Sequence, residues 1–348
     1  MTEQLKTITY KGQTLRTSVY MESPQDYYEE LLRQYNTKPS KYQVQKAIRQ
    51  LFLNDTTQKT ILNRYFLREV HDKVVINGCK WSIEDLFANK EIFDIYYAKI
   101  QRNKKVFYED SEMHKIEKAI GLGGAGIVKS ATYYPIDNVE FLIKKYCKPR
   151  GNYYDYSCGW GDRLIGAMKS NVNYYGTDPN YELINCLEDM DKFIREIIPI
   201  MRSTHLYAQG SEVYIEELEN QIDFAFTSPP YFNLEDYKIG NQSYKEGTNY
   251  EDWKSEYLEP TIQNIYRYLK EDGYCAINIK NLPKYKLLDD AIGLFEKNGF
   301  RHLGFEDLNV ISRRTVYGDL LENNEKIAVF SKGIGLPMKE EIEQTSLF

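Results

Sequence analysis

Asp155-Tyr-Ser-Cys-Gly-Trp-Gly-Asp162 is the stretch that decides the fold. The residues before it read as a short buried strand, and those after it read as a helix. Gly159 and Gly161 permit the tight turn and the close backbone approach that a strand-to-helix junction at a nucleoside site requires. The next predicted strand ends at Asp178, whose carboxylate can accept hydrogen bonds from both hydroxyls of a ribose. The stretch therefore predicts a βαβ unit that binds a nucleoside.

The same residues discriminate between two nucleoside ligands. A nicotinamide dinucleotide prefers a third glycine, but the sixth position counted from Gly159 is Leu164, and Asp162 at the helix start would repel a pyrophosphate. S-adenosylmethionine carries no phosphate, and its ammonium and sulfonium charges are compatible with Asp155 and Asp162. We therefore expect S-adenosylmethionine as the cofactor. The residues expected to bind it are Asp155, Ser157, Gly159, Gly161, Asp178, Pro179 and Ser211, with Glu212 as an alternative to Ser211 beside the adenine ring.

A second informative stretch is Ser228-Pro-Pro-Tyr231, which follows the predicted buried strand Asp223–Thr227 without a spacer. Two prolines fix two φ angles, remove two backbone donors and favour extended geometry for the residues before them. The result is a stiff corner with free carbonyl groups, one hydroxyl and one aromatic ring. The Ser228 side chain and the Pro229 carbonyl can accept hydrogen bonds from an exocyclic amine, and Tyr231 can stack on a flat base. A plain proline turn that closes a strand is the alternative reading.

The Ser-Pro-Pro-Tyr corner resembles the motif of the DNA amino-methyltransferases, in the form typical of the cytosine N4 branch. The resemblance covers about residues 120–332, and the cofactor motif precedes the catalytic motif. The residues of both motifs are most similar to those of methylases carried by phages and mobile elements. The resemblance implies methyl transfer to the exocyclic amine of a flipped DNA base. It implies catalytic roles for Ser228, Pro229, Pro230 and Tyr231, and cofactor contacts for Tyr133, Tyr134 and Pro135 beside Thr132.

Strands and helices alternate regularly after residue 150, which predicts an α/β fold with a largely parallel sheet and helices on both faces. A hairpin that ends in an antiparallel strand fits residues 308–326, as in the Rossmann-like class I methyltransferase fold. The expected strands are Tyr153–Ser157, Tyr174–Thr177, His205–Ala208, Asp223–Thr227, Gly273–Lys280, Arg301–Leu308 and Lys326–Phe330. The expected helices are Asn138–Tyr146, Asp162–Lys169, Tyr181–Ile197, Val213–Leu218, Asp252–Leu269 and Leu287–Lys297.

The chain divides into three predicted parts: a smaller, mostly helical N-terminal domain at 1–115, a methyltransferase domain at 116–335 and a tail at 336–348. Residues 1–22 read as a loose arm with one strand at Lys6–Tyr10, and three short helices follow up to about Phe66. Leu67–Ile76 reads as a strand that ends in a hairpin turn at Asn77-Gly78. Since little chain follows the catalytic motif, recognition of DNA would fall to residues 1–120 and to the loop at 232–250. Within that loop, the polar, tyrosine-rich segment Tyr237–Tyr250 is expected to be a mobile lid over the base.

Charge is distributed unevenly along the 348 residues, whose formal net charge is −6. Residues 37–107 hold 14 Lys/Arg against 7 Asp/Glu, so this segment is basic while the rest is acidic. Such a basic segment is typical of a surface that contacts the phosphate backbone of a nucleic acid. An ordinary solvated helical face is an equally good interpretation.

Five cysteines without a Cys-x-x-Cys pair, and only four histidines, make disulfides and a metal site unexpected. No cysteine follows a proline, so the nucleophile used by methylases of the cytosine ring carbon has no candidate. No apolar run is long enough to span a membrane, and Met1–Tyr10 lacks the apolar core of a signal peptide, so we expect a cytoplasmic protein, with a monomer slightly favoured. The alternatives that stay open are adenine N6, RNA or a protein glutamine amide as the acceptor, and a non-enzymatic DNA-binding module.

Overall fold

Seven strands form one mixed sheet in the computed structural model, which describes residues 2–21, 28–101, 116, 119–120, 126–239, 241–244, 247–307 and 326–333. Across the sheet the strands are β10 (Phe300–Asp307), β11 (Lys326–Lys332), β9 (Leu269–Asn278), β7 (Ile222–Thr227), β4 (Asn152–Asp155), β5 (Asn173–Thr177) and β6 (Thr204–Tyr207). β11 runs antiparallel to both β10 and β9, and the other neighbouring strands of the sheet pair in parallel. This strand order confirms the predicted α/β class I methyltransferase sheet.

Helices cover both faces of this sheet, as predicted. Alternate residues of the central strands point to opposite faces: Tyr153 and Phe224 lie in one buried cluster, and Tyr154 and Ala225 lie in the other. The helices on the first face are α7 (Ile136–Tyr146), α8 (Asp162–Lys169) and α9 (Tyr181–Arg195). Those on the second face are α10 (Tyr250–Trp253), a π-helical turn at Lys254–Leu258, α11 (Glu259–Tyr268) and α12 (Leu287–Lys297). The helix predicted at Val213–Leu218 is only a 3₁₀ turn at Glu216–Leu218.

The N-terminal part begins with a β-hairpin rather than a loose arm. β1 (Thr2–Tyr10) pairs along its whole length with β2 (Gln13–Met21), so the single strand predicted at Lys6–Tyr10 was too short. Lys11 and Gly12 both have positive φ, 46° and 74°, which is the backbone that a two-residue hairpin turn needs. The helices that follow are α1 (Tyr28–Asn36), α2 (Lys41–Phe52), α3 (Lys59–Leu62), a π-helical turn at Asn63–Leu67, α4 (Arg68–His71), α5 (Ile83–Ala88) and α6 (Lys90–Gln101).

The strand predicted at Leu67–Ile76 is wrong for most of its length. Leu67, Val70 and His71 are buried on one side of a helical turn, a spacing of three and four residues that suits a helix. Only β3 (Val75–Ile76) is extended, and it pairs antiparallel with β8 (Glu235–Asp236), which lies just after Ser228-Pro-Pro-Tyr231. The expected local hairpin at Asn77-Gly78 is therefore replaced by a contact between residues far apart in sequence.

Helices α2–α4 share their buried cluster with the first face of the sheet, whereas the hairpin, α1, α5 and α6 have a cluster of their own. Residues 115, 335 and 336 at the predicted boundaries lie outside the described residues, while Ile116 belongs to the same buried cluster as the hairpin, α1, α5 and α6. Within the described ranges, no helix is long and apolar enough to cross a membrane. No group of three or more His, Cys, Asp or Glu side chains that could hold a metal ion occurs there either.

Candidate active site

One cavity of about 630 Å³ opens at the carboxyl ends of β4, β5 and β7, where ligands bind in open α/β sheets. It brings together the two motifs that the sequence analysis selected, although they lie about 70 residues apart in the chain. The predicted site residues on its wall are Tyr133, Tyr134, Pro135, Ser157, Gly159, Asp178, Pro179, Ser211, Ser228, Pro229, Pro230 and Tyr231. Glu212 lies on the wall as well.

The glycine turn has the predicted left-handed conformation, with φ of 52° at Gly159 and 75° at Gly161. Gly161 does not line the cavity. A Cβ atom there would lie 2.6 Å from Met190 Cε and 2.7 Å from Leu187 Cδ2, both on α9. Gly161 therefore serves the close approach of two helices rather than contact with a ligand.

Asp155 lies beneath the cavity wall, and its side chain is completely buried. Its Oδ2 accepts hydrogen bonds from Arg163 Nε at 2.9 Å and from the Tyr174 hydroxyl at 2.8 Å, and its Oδ1 accepts one from Thr227 Oγ1 at 2.7 Å. Burial, the largest single effect, lowers the pKa of Arg163, but the attraction of the Asp155 carboxylate together with the neighbouring Tyr153 and Tyr174 outweighs it and leaves that pKa above its usual value. The predicted contact between Asp155 and the cofactor is at odds with this geometry. Asp155 instead connects the end of β4 to the end of β7, because it accepts a hydrogen bond from Thr227, the last residue of β7. Thr227 immediately precedes Ser228.

Asp178 has the environment expected of a ribose-binding acid. Its Oδ1 accepts from the Asn180 amide at 3.0 Å and its Oδ2 from the Gly159 amide at 3.3 Å. Each oxygen thus has one protein partner and keeps a lone pair for the cavity. Burial raises the pKa of Asp178 to about 6, and the two amide hydrogen bonds oppose that rise. The side chain is ionised at neutral pH and loses its charge in mild acid.

The proline corner presents two acceptors. Among the described residues, neither the Ser228 hydroxyl nor the Pro229 carbonyl has a hydrogen-bond partner, although both residues line the cavity. The hydroxyl of Tyr231 donates to the Asn278 carbonyl at 3.3 Å, which fixes the ring at the wall. Phe232 follows with a φ of 52°, a strained value for a non-glycine residue. Its ring is held by four aromatic side chains at centroid distances of 5.0–5.8 Å: Tyr244, Tyr250, Trp253 and Tyr285.

Part of the predicted lid forms a strap across the cavity. Tyr237 packs its ring 6.2 Å from that of Trp160, and Asn241 Nδ2 donates to the Pro179 carbonyl at 2.9 Å. The Tyr237 hydroxyl donates to Glu235, and burial raises the pKa of that carboxyl group. The strap therefore connects the proline corner with the turn that carries Asp178.

Two residues at or beside the wall were missed. Tyr257 lines the cavity within the π-helical turn, and its hydroxyl lies 3.3 Å from Ser157 Oγ. Such turns are frequent at functional sites, but nothing in the sequence marks this one. Lys59 belongs to the basic segment 37–107, which was expected either to contact a phosphate backbone or to form a solvated helical face, yet it is buried beside Asp162, which lines the cavity. Other cations of the basic segment are paired with acids of the same segment, as Lys38 is with Glu69.

No protein-family model and no curated protein matches this sequence. Among solved structures, it is similar to a TehB-like SAM-dependent methyltransferase from Corynebacterium glutamicum, with 18% identity, 63% of this chain and 95% of that chain covered, and a TM-score of 0.37. A SAM-dependent methyltransferase from Methanosarcina mazei has 14% identity, coverage of 58% and 99%, and a TM-score of 0.39. An rRNA methylase from Streptococcus thermophilus has 16% identity, coverage of 58% and 99%, and a TM-score of 0.36. Likenesses this distant carry no argument about reaction or substrate.

Proposed function

We propose that this protein transfers a methyl group from S-adenosylmethionine to the exocyclic amine of a flipped DNA base. N4 of cytosine is the acceptor that we favour. The observation that carries the proposal is the shared cavity: the proline corner, with two unpartnered acceptors, faces the same space as the glycine turn and Asp178. The resemblance of both sequence motifs to methylases of phages and mobile elements also supports the proposal.

The cavity suits the cofactor by the chemistry of its wall. Asp178 keeps one lone pair on each oxygen for the two hydroxyls of a ribose. Ser211 and Glu212 line the cavity and would contact the edge of the adenine ring. Asp162 adds a carboxylate at the start of α8, which disfavours phosphate and suits an ammonium group. The cofactor supplies an electrophilic methyl group attached to a sulfonium.

The proline corner would act on the acceptor amine. Ser228 and the Pro229 carbonyl can each accept one N–H of an exocyclic amine, which turns the nitrogen lone pair away from them. Conjugation with the ring makes such an amine a poor nucleophile, so its orientation matters; fixed orientation contributes on the order of 7–11 kcal/mol in favourable cases. Ser228 is neutral and a poor general base, so the proton would leave to water. Tyr231 would form an aromatic wall for the base.

A transfer assay with three acceptors tests the proposal. The purified protein is incubated with methyl-labelled S-adenosylmethionine and unmodified duplex DNA, total RNA or glutamine-containing peptides, with the Ser228→Ala variant as control. We expect label in DNA with the wild type and a loss of at least about 100-fold with the variant, whose transition state lacks one oriented acceptor. Label in RNA or peptide instead of DNA would favour the rival acceptors, and label in none would contradict the proposal.

A further inference from the structure

A buried cation from the N-terminal helices lies behind the cavity wall. Lys59 Nζ is 3.1 Å from Asp162 Oδ1, and the two side chains are only 7% and 4% exposed. The ammonium group also donates to Asn63 Oδ1 at 2.6 Å and to the Trp160 carbonyl at 2.8 Å. Its three donors are thus used, and burial lowers the pKa of Lys59 while Asp162 opposes that shift. A buried pair of this kind is costly to break because it leaves one charge uncompensated.

The segment beside Asp162 is held from the same helices. The Tyr134 amide donates to Asp162 Oδ2 at 3.3 Å. Lys59 Nζ lies 5.4 Å from the centroid of the Tyr133 ring, and the His71 ring stacks on Tyr133 at 4.8 Å with an interplanar angle of 8°. Residues 59–71 thus support a part of the wall that the sequence analysis assigned to a different domain.

We propose that Lys59 is a positioning residue of the cofactor site, which holds Asp162 in place to receive the ammonium group of the cofactor's amino-acid moiety. The proposal rests on the function proposed above and adds the residue that organises one end of its cavity. Asp155 cannot take this role, because its oxygens are occupied below the wall. Each oxygen of Asp162 has one protein partner and so keeps a lone pair for the cavity. An amino-acid group has no net charge, which suits an acid that already has a cation behind it.

Two ligands separate positioning from general folding. S-adenosylmethionine carries the amino-acid group, whereas methylthioadenosine has the same nucleoside and lacks it. For the full-length Lys59→Met variant, calorimetry should give an affinity for S-adenosylmethionine about 10–100-fold below that of the wild type, as expected when an ionic hydrogen-bond network is lost. Its affinity for methylthioadenosine should stay within about 2-fold of the wild type.

The control is Lys169→Met, which removes a cation of similar burial, 5% exposed and 2.5 Å from Glu140, at the other end of the same helix. It should leave both affinities unchanged. In the double variant Lys59→Met/Asp162→Asn, which leaves neither charge unpaired, thermal stability should recover while binding of S-adenosylmethionine stays weak. Equal losses for both ligands in Lys59→Met, or unchanged binding of S-adenosylmethionine, would overturn the proposal. A wild type that binds neither ligand would instead refute the proposed function, and this inference with it.

Discussion

Replacement of Asp155 by asparagine distinguishes a residue that ties the sheet together from one that contacts the cofactor. The substitution keeps the size of the side chain and removes its charge. It leaves Arg163, which is only 5% exposed, without its anion and weakens the bonds from Tyr174 and Thr227. Loss of one partner of a buried pair costs about 3–5 kcal/mol. Because asparagine can still accept one of these bonds, we expect the lower value, about 3 kcal/mol, and a melting temperature lower by roughly 4 °C for a chain of 348 residues.

Chemical denaturation measures that loss in the free energy of unfolding, and calorimetry measures cofactor affinity in the fraction that remains folded. The matched control is Asp94→Asn at the exposed pair Lys90–Asp94, where the change should stay below about 1 kcal/mol. The double variant Asp155→Asn/Arg163→Met should recover part of the stability, since no charge is left unpaired. A variant Asp155→Asn that keeps wild-type stability within about 1 kcal/mol and loses cofactor affinity would refute the reasoning.

Three further predictions concern single residues. Ser228→Ala should lower methyl transfer at least about 100-fold, because one oriented acceptor is lost. Its cofactor affinity and melting temperature should stay near the wild-type values, because the hydroxyl has no partner among the described residues; a large drop in melting temperature would contradict this. Since burial raises the pKa of Asp178 to about 6, its carboxylate becomes neutral as the pH falls through that value, so cofactor affinity should weaken between pH 7.5 and 5.5, and calorimetry on Asp178→Asn should give weak binding without that dependence. Gly161→Ala should destabilise the fold by about 1–3 kcal/mol, because its Cβ would meet Met190 and Leu187; unchanged denaturation would argue against the close helix contact.

The sheet could be predicted from the sequence because its strands are short apolar runs separated by helical periodicity. The turn at Gly159 and the acid at Asp178 could also be placed, since parallel strands bring their carboxyl ends to one edge. The structure of the N-terminal part was harder to predict from the sequence. The apolar residues at 67–76 fit a strand and a helix alike, and only packing against the first face of the sheet selected the helix.

Which acid meets a ligand could not be decided by sequence. Asp155 and Asp162 flank the same turn and both suit a cation, but Asp155 faces Arg163 below the wall while Asp162 faces the cavity. The partner of Asp162 is Lys59, 103 positions earlier in the chain, and long-range pairing of this kind leaves no local pattern. A basic residue on a helix reads as solvated unless the surface that buries it is known.

The most direct test of the central claim is the identity of the methylated nucleoside. Unmodified DNA is incubated with the purified protein and S-adenosylmethionine, digested to nucleosides and analysed by mass spectrometry against N4-methylcytosine, N6-methyladenine and C5-methylcytosine standards. An amine held by Ser228 and Pro229 predicts N4-methylcytosine, with N6-methyladenine as the variant of the same chemistry. Methylation of the ring carbon, or DNA that stays unmodified while the protein binds the cofactor, would contradict it.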